Sequence, residues 1–268
     1  MKLEKEKVNL ITKLFEEKTR KDCYALNMVD EEPSILDDKL GGKPYLPVGE
    51  KYPTDDKGNP LPLMLQINLK NIDLPNFPKE GILEVFTDTN WPLNYKVKYF
   101  KEGLEYQTEF PEAKCYYTDY EGKEHETEFF VEKPQKIVLE KTVCYLPMSN
   151  YEFDDVISEV IAEALDLDLD EVDLEEYFGG WDVLHEFEYD VLNSLKFNPC
   201  TLGGYPDYTQ DDIREDFDPP KDVCLFKLDS VGTKYLEIGD SGIMCGYIST
   251  EDLKNCNFDN MALDFDCC

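Results

Sequence analysis

One phrase occurs twice in this chain. Leu40-Gly41-Gly42-Lys43-Pro44 returns as Leu202-Gly203-Gly204-Tyr205-Pro206. Behind each copy, two apolar stretches keep the same spacing. After the first come Leu65-Gln66-Ile67-Asn68 and Gly81-Ile82-Leu83-Glu84-Val85-Phe86. After the second come Phe226-Lys227-Leu228-Asp229 and Gly242-Ile243-Met244-Cys245-Gly246-Tyr247. A repeat at a distance of about 160 residues marks a duplicated half rather than a solenoid. Each unit opens at a Gly-Gly turn, where φ can be positive, and proline restricts the chain just after it. The expected fold is α+β and β-rich: two pseudo-twofold-related β units from an internal duplication, with an N-terminal helix and a central helical segment.

The rest of the chain fits around those units as one domain, 1–268. Repeat unit one covers 38–90, a β meander 91–150, a helical segment 151–198 and repeat unit two 200–253. In residues 2–19, Leu10, Ile11, Leu14 and Phe15 share one helical face. Residues 20–39 read as polar and irregular. Tyr95-Lys96-Val97-Lys98-Tyr99 alternates like a strand. Glu121-Gly122 marks a hairpin turn between Tyr116-Tyr117 and Phe129-Phe130-Val131. Ile137–Leu139 and Val143–Leu146 read as two further strands. Val156, Ile157, Val160, Ile161 and Ala164 predict a helix with Asp154 and Asp155 in its first turn. A shorter helix is expected over about 182–196, after Gly179-Gly180.

Those phrases resemble the YwqG-like family of bacterial proteins, domain of unknown function 1963. The residues that carry the resemblance are Gly41, Gly42, Pro44, Pro47, Pro53, Leu65, Gln66, Ile67, Asn68, Gly81, Leu83 and Phe86 in the first half. In the second half they are Leu202–Pro206, Gln210, Asp212, Leu225, Leu228, Asp229, Ser230, Gly239, Asp240, Gly242, Tyr247 and Ile248. Two positions depart from the pattern: Tyr52 replaces a tryptophan, and Lys227 stands where the second copy often has glutamine. The resemblance implies a fold dominated by β-strands and supplies no reaction.

Charge narrows the function classes. The 268 residues hold 59 acids against 27 Lys and Arg, a formal charge of −32. That field opposes nucleic-acid binding, which needs a basic surface. No apolar run is long enough to span a bilayer, and the charged N-terminus lacks a secretion signal. The nine cysteines are odd in number and show no C-x-x-C pair, which suits free thiols in a reducing cytoplasm. A cytoplasmic location is expected, without cofactor, metal or membrane.

The chemical motifs are weak. Gly239-Asp240-Ser241-Gly242 copies part of a serine-protease loop, but only His125 and His185 exist as bases and neither sits in a supporting motif. Asp240 has no symmetric partner carboxylate, because Asp88 falls opposite Ser249 in the repeat. Asp166, Asp168 and Asp170 imitate a calcium loop, but Glu171 and Tyr177 stand where glycine and glutamate are required. No catalytic residue is assigned. Two functions follow. The first is a non-catalytic, immunity- or inhibitor-like capture of a basic protein, steered by the acidic field, with Asp166, Asp168, Asp170 and Asp173 at the contact. The second is an enzyme or small-ligand protein with a polar cleft between the repeats, lined by Tyr45, Gln66, Tyr205, Gln210, Arg214, Asp229 and Asp240.

Overall fold

The computed structural model describes residues 3–90, 92–118, 120–210, 212–214 and 217–268. It is α+β and strand-rich. The chain runs through α1 (Lys5–Thr19), β1 (Lys21–Val29), β2 (Lys39–Leu40), β3 (Leu63–Asn68), β4 (Ile82–Thr87) and β5 (Tyr95–Phe100). Then come β6 (Cys115–Thr118), β7 (Glu124–Thr127), β8 (Gln135–Cys144), α2 (Phe153–Leu165), α3 (Leu174–Phe178) and α4 (Trp181–Asn193). The last elements are β9 (Thr201–Leu202), β10 (Val223–Asp229), β11 (Ile243–Ile248), α5 (Thr250–Lys254) and β12 (Ala262–Asp266).

Among the described residues, ten strands form one antiparallel sheet in the order β12-β11-β10-β9-β1-β8-β2-β3-β4-β5. The sheet curls until its ends nearly meet. Tyr95 on β5 donates its hydroxyl to Met261 O at 3.1 Å, just ahead of β12. The Tyr99 and Phe258 rings lie 4.9 Å apart. Closure of this kind removes most of the unpaired edge that an open sheet presents. The inner face carries the main core, with Leu26, Leu40, Ile67, Val85, Phe226, Leu228 and Met244 all buried. A second core forms where α1 packs against α2, and α3 and α4 close over them. Phe15 meets Phe153 there edge-on, with ring centroids 5.8 Å apart.

The strand order reads alike from both ends. The two-residue strands β2 and β9 flank the central β1–β8 pair, and β3-β4-β5 on one side faces β10-β11-β12 on the other. Register carries the same parallel. The β3–β4 pairing slips between Leu63 and Leu65, and the β10–β11 pairing slips between Cys224 and Phe226. Both Gly-Gly turns need left-handed backbone: φ is 67° and 81° at Gly41 and Gly42, and 73° and 92° at Gly203 and Gly204.

Several local expectations change. Residues 21–29 form a central strand, because Cys23, Tyr24, Ala25 and Leu26 are all buried against neighbours on both sides. The 91–150 region is not a meander of adjacent strands. β5 ends the large sheet, β6 and β7 pair as a separate ribbon, and β8 lies at the centre. The hairpin partner of β6 is Glu124–Thr127, not residues 129–131. The two strands expected at 137–139 and 143–146 are not separate: residues 137–144 run within one strand, β8, and Tyr145-Leu146 lie beyond its end.

Candidate functional site

A row of side chains crosses each half of the sheet on the face turned away from the main core. In the first half the row pairs Lys39 with Gln66, Gln66 with Glu84 and Glu84 with Lys98. In the second it pairs Thr201 with Lys227, Lys227 with Cys245 and Cys245 with Asp264. The loop after each Gly-Gly turn passes over its row.

The first row is covered. Tyr45 is fully buried, and its backbone N–H donates to Gln66 Oε1 at 2.8 Å and Glu84 Oε1 at 2.6 Å. Gln66 Nε2 donates to the carbonyls of Ile35 and Asp37. Lys39 Nζ donates to Ser34 O and Ile35 O. Burial pushes the Glu84 carboxyl up to about 8, against the pull of the Tyr45 N–H and of Lys39. Among the described residues its second oxygen has no hydrogen-bond partner.

The second row lies under a pocket. It holds about 520 Å³, and Lys227 and Thr201 line it together with the Cys144–Ser149 segment that follows β8, the end of α4 and the 195–198 turn. Tyr205, Asp207 and Tyr208 complete the wall. Lys227 is only 6% exposed. Its ammonium reaches Asp207 Oδ2 at 3.4 Å and lies 5.0 Å from the Phe197 ring centroid. Asp207 is held by the Ser149 hydroxyl, which donates to Oδ1 at 2.6 Å and accepts the Tyr208 N–H at 3.1 Å. Burial disfavours the Lys227 ammonium, but Asp207, Cys245 and Asp229 outweigh it, so the group is raised above its ordinary range and stays charged.

Cys144 also lines this pocket. It faces Lys21 directly across the β1–β8 ladder, and Lys21 Nζ sits 3.7 Å over the Tyr205 ring. Phe197, Tyr189 and Tyr205 give the pocket flat apolar walls, and Lys196 also lines it, its ammonium donating to Thr142 Oγ1 at 2.9 Å. The arrangement suits a compact ligand with an aromatic body and one anionic or strongly accepting group.

The seven cleft residues expected from sequence do not gather around one cavity. Tyr45 and Gln66 meet directly, inside the covered row. Tyr205 lines the pocket. Gln210 ties its loop to the C-terminal strand, through its N–H to Asp266 and Nε2 to Cys267 O. Arg214 makes a two-pronged pair with Asp212 and lies 4.7 Å from the Tyr151 ring. Asp229 is buried, accepts the Val231 N–H at 2.7 Å and is pushed up to about 6 by that burial. Asp240 is exposed beside Ser241, whose hydroxyl lies 3.4 Å from it.

The four acids expected at a partner contact are solvent-exposed. Asp166 ends α2 in left-handed backbone, Asp168 accepts the Asp170 N–H, and Asp173 caps α3 by accepting the Glu176 N–H. The histidines lie on other elements: His125 on β7 stacks on Tyr117, and His185 on α4 stacks on Trp181.

Sequence reading had marked Lys227 only as a departure from a pattern. Asp207, Ser149 and Phe197 carry no motif, and Cys144 reads only as one of the free thiols. The available signal was a lysine inside the apolar run Val223-Cys224-Leu225-Phe226-Lys227-Leu228, because a charge in a buried strand needs a partner.

Comparison with known families bears on the whole of this surface. The model for the domain of unknown function DUF1963 matches residues 38–267. The chain belongs to that family. The DUF1963 match takes in both Gly-Gly turns, both polar rows and every residue lining the pocket over Lys227. No curated protein matches the chain.

Proposed function

We propose that this protein binds a small anionic molecule with an aromatic body, in the pocket over Lys227. One observation carries the reading: a buried, charged lysine with a single acceptor among the described residues, at 3.4 Å, lines a pocket walled by aromatic rings. An ammonium has three donors, so Lys227 keeps capacity for a ligand oxygen. The volume falls within the roughly 300–1,000 Å³ of small-molecule sites. Lys227 and Lys196 line this pocket with only Asp207 as a lining acid among the described residues, in a chain whose formal net charge is −32.

Calorimetric titration with benzoate, indole-3-acetate, phenyl phosphate and neutral benzamide tests this. The anionic probes should bind, and Lys227→Met should weaken them at least about tenfold, the worth of one charge-assisted hydrogen bond. No binding by any anion, or equal binding by benzamide, would reject the reading.

The same account derives the two polar rows from one ancestral segment. The mirrored strand order, the two bulges and the repeated Gly-Gly turns support an internal duplication. On that view Gln66 and Lys227 are counterparts, and the second copy gave up a covered row for an open one.

A second reading, capture of a basic protein, is favoured by one feature. Asp166, Asp168, Asp170 and Asp173 are exposed on a single short connection around Leu169, which is 42% exposed. An acidic ridge with an apolar centre suits a basic partner with an apolar contact of its own.

A further inference from the structure

Two cysteines meet at the edge of the pocket. Cys23 on β1 and Cys144 on β8 point to the same face, diagonal across the ladder in which Lys21 pairs with Cys144 and Cys23 with Thr142. The Cys144 thiol donates to Lys21 O at 3.8 Å, and the two thiols perturb each other's acidity in opposite directions. Gly204 packs over both: a Cβ there would fall 2.4 Å from Cys144 Sγ and 3.3 Å from Cys23 Cβ. Glycine at 204 therefore leaves the room that the thiol pair occupies. The two differ in access. Cys23 is fully buried, whereas Cys144 is partly exposed and lines the pocket.

We propose that Cys144 is a peroxide-reactive thiol, with Cys23 as the thiol that resolves it into a disulfide. The surroundings favour the Cys144 thiolate. The neighbouring Cys23 thiol lowers its pKa most, burial opposes this, and the Tyr205 N–H, Lys227 and Lys21 add to the lowering. Thiolates rather than thiols attack peroxides, and neighbouring cations and donors raise their fraction at neutral pH. Cys23 is pushed the other way, chiefly by the neighbouring Cys144 and then by burial, so it holds its proton until Cys144 reacts.

The chemistry needs one hydrogen peroxide per disulfide. The Cys144 thiolate attacks one peroxide oxygen, the O–O bond breaks, and hydroxide leaves. Cys144 becomes a sulfenic acid, a two-electron oxidation. Cys23 then attacks that sulfur. An S–S bond forms, the S–O bond breaks, and the departing hydroxide takes the Cys23 proton as water. Two thiols and one peroxide thus give one disulfide and two waters.

The test is peroxide treatment of the folded full-length protein at neutral pH, followed by alkylation and non-reducing peptide mapping. The expected result is a Cys23–Cys144 cross-linked peptide that forms before Cys268, the exposed terminal thiol, is oxidised. Buried Cys200 and Cys224, both pushed up mainly by burial or a thiol hydrogen bond, should stay reduced. Cys23→Ser should leave a Cys144 sulfenic acid that dimedone traps, and Lys21→Met should slow its formation several-fold. Because wild-type protein alone gives the first result, a variant that fails to fold does not blunt the test. Oxidation of Cys268 ahead of Cys144, with no Cys23–Cys144 peptide, would overturn the proposal. Neither outcome depends on whether the pocket takes an anionic ligand.

Discussion

Asp207 Oδ2 lies 3.4 Å from Lys227 Nζ, and the Ser149 hydroxyl fixes the other oxygen of the same carboxylate at 2.6 Å. A carboxylate held on one side and a cation held on the other make a rigid corner. Removing one member leaves the other charge in a poor solvent, whereas removing both leaves none. Asp207→Ala should therefore destabilise the protein by about 3–5 kcal/mol, and adding Lys227→Met should recover most of that loss. Urea unfolding of the two single variants and the double variant measures it. Strictly additive losses would mean that the two charges do not depend on each other.

Glu84 gives a pH dependence of known sign. Its folded carboxyl is raised to about 8 from an ordinary 4.5, first by burial. Between those values the folded chain holds a proton that the unfolded chain has released. The stability linked to that proton is complete below pH 4.5 and declines as pH rises to 8, by up to about 1.4 kcal/mol per pH unit. Glu84→Gln keeps the shape and removes the titration. Its stability relative to wild type should rise steadily in unfolding measurements at pH 5, 6.5 and 8. Parallel curves would contradict the assignment.

Gly242 should prove structural. A Cβ there would fall 2.4 Å from Ile238 O and 2.5 Å from Asp266 O. Its own N–H donates to Ile238 O, and its carbonyl accepts the Ser230 N–H. Those bonds make Gly239-Asp240-Ser241-Gly242 a turn locked under the last strand. Gly242→Ala should cost about 1–3 kcal/mol or more through overpacking against backbone. Ser241→Ala, at an exposed position, should stay within about 0.5 kcal/mol of wild type. Thermal unfolding of the two variants separates them.

The acidic ridge can be changed without touching the fold. Asparagine caps helices about as well as aspartate, so replacing Asp166, Asp168, Asp170 and Asp173 together by Asn should leave the melting temperature nearly unchanged. If a basic partner uses this ridge, binding of a short oligolysine probe at low salt should weaken and its salt dependence should flatten. Unchanged binding would place the contact elsewhere on the surface.

Much of the fold was legible because apolar periodicity is local. The strands 63–68 and 82–87, the helix 153–165 and the second-half strands 223–229 and 243–248 all carry it in their own residues. Residues 21–29 were missed because Lys21-Asp22 and Asn27 break the alternation, and the strand is held by β8 and β9, which lie far away in sequence. The β8 misreading has a similar cause. Glu140, Lys141 and Thr142 look like a turn, yet in a strand with one outward face they pair in register with Ala25, Tyr24 and Cys23. The site was harder to read. Gln66 and Asp229 look like ligand groups as letters, but nearby backbone already satisfies them. Lys227 looked like a lost glutamine. What makes it a candidate site is the space above it, which depends on α4 and the 195–198 turn and which no local pattern records.

Crystals grown with indole-3-acetate or phenyl phosphate would show whether the pocket over Lys227 takes an aromatic anion, as proposed. The expected result is a ligand oxygen within hydrogen-bonding distance of Lys227 Nζ and the ring packed against Phe197 or Tyr205. Ligand found only at other surfaces, with this pocket filled by water alone, would contradict it.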